Sequence, residues 1–225
     1  MKTRLMFIAL ILALATPLAF TQSMDRGKIS FAVLGGINFQ NLNGKDAVGD
    51  KLVNNLILGY HAGVNTQIHF APNIYFQPGL LIATKGTNDP VGSATKKYKL
   101  TYIEMPLNLV YKAILGNGSI MIGFGPYLAY GIGGKVITED GSETIESDLE
   151  FKNVVETADP LTTAYFKPFD FGGNIFAGYE LASGLFGQLN TQIGMVKINP
   201  EDRRISNDKS SVKNTGFGLS IGYRF

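Results

Sequence analysis

Chemistry at neutral pH usually starts from imidazole, thiolate or a metal, and this chain offers little of any. Its two histidines are His61 and His69, and it has no cysteine. Thiol catalysis, disulfides and thiolate metal sites are therefore excluded together. The histidines are eight residues apart and share one face of an extended segment, which separates them by roughly 26 Å, too far for one metal ion. Neither has a serine in an obvious partnering position. The run Gly131-Ile132-Gly133-Gly134-Lys135 looks faintly like a phosphate loop, but it lacks the full spacing and a following helix. No Asp-x-Asp-x-Asp-Gly calcium motif is present. These residues predict no catalytic group, no cofactor and no bound metal.

The most individual chemistry is acidic. Between Gly134 and Pro168 lie Glu139, Asp140, Glu143, Glu146, Asp148, Glu150, Glu156 and Asp159 against Lys135, Lys152 and Lys167, a net of minus five. Such a run is either a hydrated loop or a surface for a partner, including divalent cations bridging to lipopolysaccharide. Ser147 with Glu150 fits a capping box, which predicts a short helix through Val155. The segment Lys197 to Lys213 carries five basic and three acidic residues and is a candidate to pair with it.

The elements that must carry these residues are strands. Apolar residues alternate with small or polar ones in eight segments. Phe31, Val33, Ile37 and Phe39 oppose Ser30, Ala32, Gly36 and Asn38. Leu58, Tyr60, Ala62 and Val64 oppose Gly59, His61, Gly63 and Asn65. The pattern recurs around Ile74–Lys85, Tyr102–Tyr111, Ile120–Ile132, Asp170–Leu181 and Leu185–Met195, and ends at Asn214–Phe225. Segments of about ten residues suit tilted transmembrane strands. The connections alternate long and short: Gln40–Asn55, Ala71–Asn73, Gly86–Lys97, Ala113–Gly118, Gly134–Pro168, Ala182–Gly184 and Lys197–Lys213. Long loops on one rim and tight turns on the other are the outer-membrane pattern.

The second face distinguishes a membrane barrel from a soluble one. It carries Gly, Asn, Gln, Ser and Tyr with few charges, chiefly Glu104, Asp170, Glu180 and Arg224. That composition would solubilise poorly, but it fits the interior of a narrow barrel. The prediction is all-β: an eight-stranded antiparallel transmembrane β-barrel with up-and-down meander topology. Inside, Glu104 is expected to pair with His61 at similar depth, and Glu180 with Arg224 near the short-turn rim. His69 is expected at the rim.

Two further features bear on location. Lys2 and Arg4 precede the eleven-residue apolar run Leu5–Ala15, with Pro17 and small residues beyond. This predicts a signal peptide over 1–21, cleaved between 19 and 23, and a barrel domain over 24–225. Without Lys2 and Arg4 the chain carries 18 basic and 18 acidic residues, which gives no support for nucleic-acid binding. Tyr and Phe on the greasy face fall into two groups suited to interfacial girdles. One group is Phe31, Phe70, Phe76, Tyr111, Tyr179, Tyr223 and Phe225, and the other is Phe39, Tyr130 and Phe171.

Stretches over nearly the whole chain resemble the small outer-membrane β-barrel proteins of the PorT-like, porin-family type: ISFAVLGGINFQNL, YFQPGLLIATKG, LTYIEMPLNLVYK, IGFGPYLAYG, FDFGGNIFAGYEL and GFGLSIGYRF. The resemblance implies a fold and an outer-membrane location with both termini periplasmic, and no reaction. By analogy with barrels generally, Tyr223 and Phe225 belong to an insertion signal read by the barrel assembly machinery. The expected role is non-enzymatic: a monomer in contact with outer-membrane lipid, structural, accessory or binding a protein partner through its extracellular loops. A component of a secretion machinery, a lipid A modifying enzyme and a soluble β-barrel carrier are the alternatives.

Overall fold

The computed structural model describes residues 29–225. The expected signal peptide and its cleavage site lie outside the described residues.

Twelve strands follow in order: β1 Ile29–Lys45, β2 Ile57–Ala71, β3 Ile74–Val91, β4 Ala94–Leu115, β5 Gly118–Asp140, β6 Glu143–Phe151, β7 Val154–Val155, β8 Ala164–Phe166, β9 Phe169–Leu181, β10 Leu185–Gly194, β11 Glu201–Asp202 and β12 Ser211–Arg224. Eight of them close a ring: β1, β2, β3, β4, β5, β9, β10 and β12, which returns to β1. Every ring pairing is antiparallel between neighbours, so the barrel is an eight-stranded meander. Closure leaves no unpaired edge, the condition for placing strands in hydrocarbon. Among the described residues no helix is long and apolar enough to cross a membrane.

The alternation read from the sequence sets what faces where. Leu58, Tyr60, Val64, Ile122, Phe124, Leu189 and Ile221 point outward and are exposed, while Asn38, His61, Asn65, Gln67, Gln77, Glu104, Asn108, Asp170 and Asn174 are buried inside. A band of bare aliphatic side chains around a polar interior is the inverse of a soluble protein, and lipid is the solvent that makes it stable.

Close strand approach explains one glycine in particular. A Cβ at Gly36 would stand 1.9 Å from the Leu219 carbonyl oxygen across the β1–β12 seam. No side chain fits there without parting the first and last strands.

Several expectations need correction at the long-loop rim. The strands run well past ten residues, to 22 in β4 and 23 in β5. The expected loop Gly86–Lys97 is mostly hairpin, because β3 reaches Val91 and β4 begins at Ala94, with Gly92 supplying a positive φ of 62° in the turn. The expected loop after Gly134 likewise begins as a hairpin. Lys135 to Asp140 pair with Glu143 to Asp148, around Gly141 at φ 58°. The helix suggested by Ser147 and Glu150 is absent: both lie in β6, whose ladder to β5 outcompetes an isolated turn of helix. Past the lipid most of their side chains are at least partly exposed, so these extensions lack the apolar alternation that marks the spans.

The interior also departs from expectation. It holds two apolar clusters besides the amides. One, toward the short turns, joins Ala32, Leu34, Val110, Met121, Phe176 and Phe186. The other, under the long loops, joins Leu42, Leu100, Tyr102, Tyr127, Ala129, Val136, Leu149, Phe166 and Ile198.

Candidate functional site: a closed lumen beneath a folded cap

Between the two apolar clusters the lumen is polar and tightly paired. Lys85, on the inward face of β3, lies 3.0 Å from the Glu104 carboxylate of β4 and 3.1 Å from that of Asp170 on β9. All three are at least 98 % buried. Gln192 donates to Glu104 Oε1 at 2.5 Å. Tyr127 and Asn214 donate to Asp170 Oδ2 at 3.2 and 2.9 Å. The Tyr127 ring lies 4.0 Å from the ammonium. A carboxylate at this depth needs a cation and hydrogen bonds together, and here it has both.

This geometry corrects the pairing expected for Glu104. Its partner is Lys85, and His61 instead contacts Ser220 Oγ through Nε2 at 2.7 Å. Glu104 pairs in register with Leu81, four residues below Lys85, so only the long lysine stem brings the charges together. The expectation that no serine partners a histidine is likewise corrected. The His61–Ser220 contact has the form of a base and a nucleophile, but both side chains are buried between the two apolar clusters. Asn190 also donates to Ser220 Oγ, at 3.1 Å. The serine is thus held inside a hydrogen-bond network. His69 is exposed at the rim, its ring 5.3 Å from that of Tyr75.

A second charged group closes the short-turn end. Glu180 receives Lys112 at 2.8 Å and Arg224 at 2.9 Å, the latter reaching across β10 from β12. Arg224 also donates to Asn65 at 3.2 Å. Lys112 is a member of this group that the alternation alone does not single out. Between the two charged groups is a polar cavity of about 60 Å³ lined by Asn38, His61, Asn108, Asn190 and Ser220, among others. It has room for a few waters at roughly 15 Å³ each, and the unmatched oxygens of Asn38, Gln40 and Asn108 give water something to do there.

Above the barrel the acidic run is largely neutralised within the cap. Glu139 pairs with Lys97 at 2.5 Å, Glu146 with Lys135 at 2.8 Å and Glu156 with Arg203 at 2.8 Å. Asp159 meets Lys152 at 2.6 Å, and Glu150 is 3.8 Å from the same lysine. Asp140 accepts from Ser93 at 3.1 Å. Glu143 and Asp148 have no ion pair among the described residues. The Lys152 hydrogen bond, aided by the Glu156 backbone amide, holds the Asp159 carboxyl below the ordinary carboxylate range. Arg204 does the same to Asp202. Arg204 also donates to the Pro160 carbonyl at 3.1 Å and lies 5.3 Å from the Tyr165 ring, so the basic segment fastens the acidic one. Between them is a recess of about 330 Å³ with Tyr98, Tyr165, Phe166, Leu42 and Val212 among its walls and Asp89, Asp202 and Asp208 among its polar groups.

At the other end Phe225 is 74 % exposed, with its ring 5.0 Å from that of Tyr223 and its amide donating to the Phe31 carbonyl at 2.8 Å. Among the described residues no cluster of His, Asp or Glu could hold a metal ion.

The model of the outer membrane protein beta-barrel domain matches residues 20–199, four fifths of the chain. The chain belongs to this family. Its barrel is accordingly an outer-membrane one, and the exposed aliphatic band is its lipid-facing surface. The match ends before β12, which the structure shows to be integral to the ring. No curated protein matches the sequence. Among solved structures the chain is similar to Neisserial surface protein A, with 10% identity, a TM-score of 0.44, and coverage of 87% of this chain and 97% of that one. It is also similar to Ail, the attachment invasion locus protein of Yersinia pestis, with 11% identity, a TM-score of 0.40, and coverage of 88% and 99%.

Proposed function

We propose that the protein is a non-enzymatic, non-conducting outer-membrane barrel that presents a folded binding cap on its long-loop side, with both termini periplasmic. The observation that carries this reading is the contrast between the two ends of the lumen and the cap. The lumen holds two apolar clusters and is cross-linked by buried charge, which supports a filled interior with His61 and Ser220 inside it. The cap, by contrast, is built outward on 22- and 23-residue strands and encloses a recess of about 330 Å³. A recess of that size with aromatic walls and a few carboxylates has the ordinary makeup of a binding site.

The acidic residues contribute less free charge than their number suggests. Glu143 and Asp148, which lack ion pairs, are the ones a partner would meet first. Membership in the PorT-like group and a place in a secretion machinery belong to this proposal as its narrower form, supported by the sequence stretches quoted above.

Affinity capture from intact outer membranes tests the reading. A partner held by the wild type should be lost when Tyr165→Ser reshapes the recess or when Glu143→Gln and Asp148→Asn are combined, with the barrel still folded by heat-modifiable mobility. A partner retained by both variants removes the cap from the binding role.

A further inference from the structure

Toward the long-loop rim the seam between β2 and β3 loses its regular pairing. The β2–β3 ladder runs through His61 opposite Ala83 and stops there, and strand pairing resumes only at the bridge between Asn55 and Asn88. Within the gap, the Thr84 hydroxyl stands in for backbone: it accepts from the Tyr60 amide at 2.8 Å and donates to the Tyr60 carbonyl at 3.2 Å. Gly59 and Gly86 flank it. A Cβ on Gly59 would come 2.4 Å from the Thr84 hydroxyl, so the gap needs a residue without a side chain. The result is a depression of about 410 Å³ on the outer wall, bordered by Leu58, Tyr60, Thr84, Thr101, Lys99 and Lys135.

Its two lysines are placed unusually. Lys99 and Lys135 are directly opposite each other across β4 and β5. Both point outward, since their neighbours Leu100 and Val136 are buried inside. Like charges in register are destabilising unless an anion joins them. Lys135 has Glu146 at 2.8 Å, and Asp148 faces it on the next strand. Lys99 has no carboxylate partner among the described residues, and its neighbour on the β3 side is Gly86.

Height along the wall fixes what meets this pair. Tyr60 and Tyr130 are outward and exposed just below, in the rows of Thr84–Thr101 and Ile103. Outward tyrosines mark the level at which hydrocarbon gives way to headgroups. Lys99 and Lys135 are therefore at headgroup depth, level with Leu58 and just above Tyr60. An anion on top of an acyl chain matches that arrangement in both charge and polarity.

We propose that this seam binds a phosphate-bearing lipid. Lys99 and Lys135 hold the phosphate, the hydroxyls of Thr84 and Thr101 border the headgroup, and Leu58 and Tyr60 contact the upper acyl chain. That the lipid comes from the outer leaflet rests on the outward orientation of the long-loop rim. Labelling of Ser142→Cys on intact cells, in a chain with no native cysteine, checks that orientation separately.

Native mass spectrometry of the purified full chain in detergent tests the site with bisphosphorylated lipid A, the same lipid stripped of phosphate, and inorganic phosphate. The expected result is lipid adducts that favour the phosphorylated form. Lys99→Ala with Lys135→Ala should weaken them roughly thirtyfold, at about 1 kcal/mol per lysine. Lys99→Arg with Lys135→Arg should retain the preference, as should Lys51→Ala with Lys209→Ala. Equal binding of the two lipids, undiminished binding by the alanine pair, or displacement by inorganic phosphate at matching concentration would overturn the proposal. Folding of each variant is read from heat-modifiable mobility, and the arginine pair keeps the test decisive if the alanine pair fails to fold.

Discussion

Lys85 stands 3.0 Å from Glu104, and the same ammonium is 3.1 Å from Asp170, so one buried cation serves two carboxylates. The group as drawn carries a net negative charge, and that unequal ratio makes its members respond differently to substitution.

Removing the cation strands both anions. Lys85→Met is expected to destabilise the barrel by about 3–5 kcal/mol, the usual cost of breaking a buried pair. Glu104→Gln leaves a balanced Lys85–Asp170 pair and keeps an acceptor for Gln192, so it should cost no more than about 1 kcal/mol. Urea unfolding in lipid vesicles measures both. Equal effects from the two substitutions would show that the charges are not shared in this way.

Gly36→Val should block barrel closure. Its Cβ would meet the Leu219 carbonyl at 1.9 Å, a backbone atom that cannot rotate away. A loss of at least about 1–3 kcal/mol follows from overpacking alone, and separation of the β1–β12 ladder adds to it. The check is the fraction of protein that acquires heat-modifiable mobility after refolding.

The cap should loosen in acid while the barrel persists. Asp159 is held below its ordinary 3.8, so its tie to Lys152 contributes fully above about pH 4 and is lost as the pH falls through the lowered value. Amide exchange across residues 152–163 should therefore rise below about pH 4, with the strands unchanged. In Asp159→Asn the same segment should exchange fast at neutral pH as well, with little further response to acid.

Planar-bilayer recording of the purified protein should show no stable conducting steps. Eight strands leave an interior that side chains can fill, and Phe176, Phe186 and Met121 fill it toward one end. Sustained steps from the monomer would mean that these clusters do not seal the lumen.

The barrel was readable because lipid demands a strict period of two and closure demands small residues where strands crowd together. The same period did not reveal the apolar plug. Phe176 lies between Ile175 and Ala177, and a run that is apolar on both faces conceals which side chain turns inward. Lys85 falls on the inward face of β3, yet its partner depended on register and on a side chain spanning four residues, neither of which is local information. The β5–β6 hairpin was hidden for another reason: most of its side chains beyond Val136 are exposed, so no apolar alternation marks its strands.

The polar interior also bears on how the molecule comes apart. Lys85, Glu104, Asp170, Gln192 and Asn214 belong to β3, β4, β9, β10 and β12, and Arg224, Glu180, Lys112 and Asn65 to β12, β9, β4 and β2. Like spokes, all of these contacts but Lys85–Glu104 join staves that are not adjacent around the rim. A barrel held only by its ladders could unzip one seam at a time; this one must surrender its hub before the staves that carry it can leave, so its dissolution should be a single cooperative event with a high barrier.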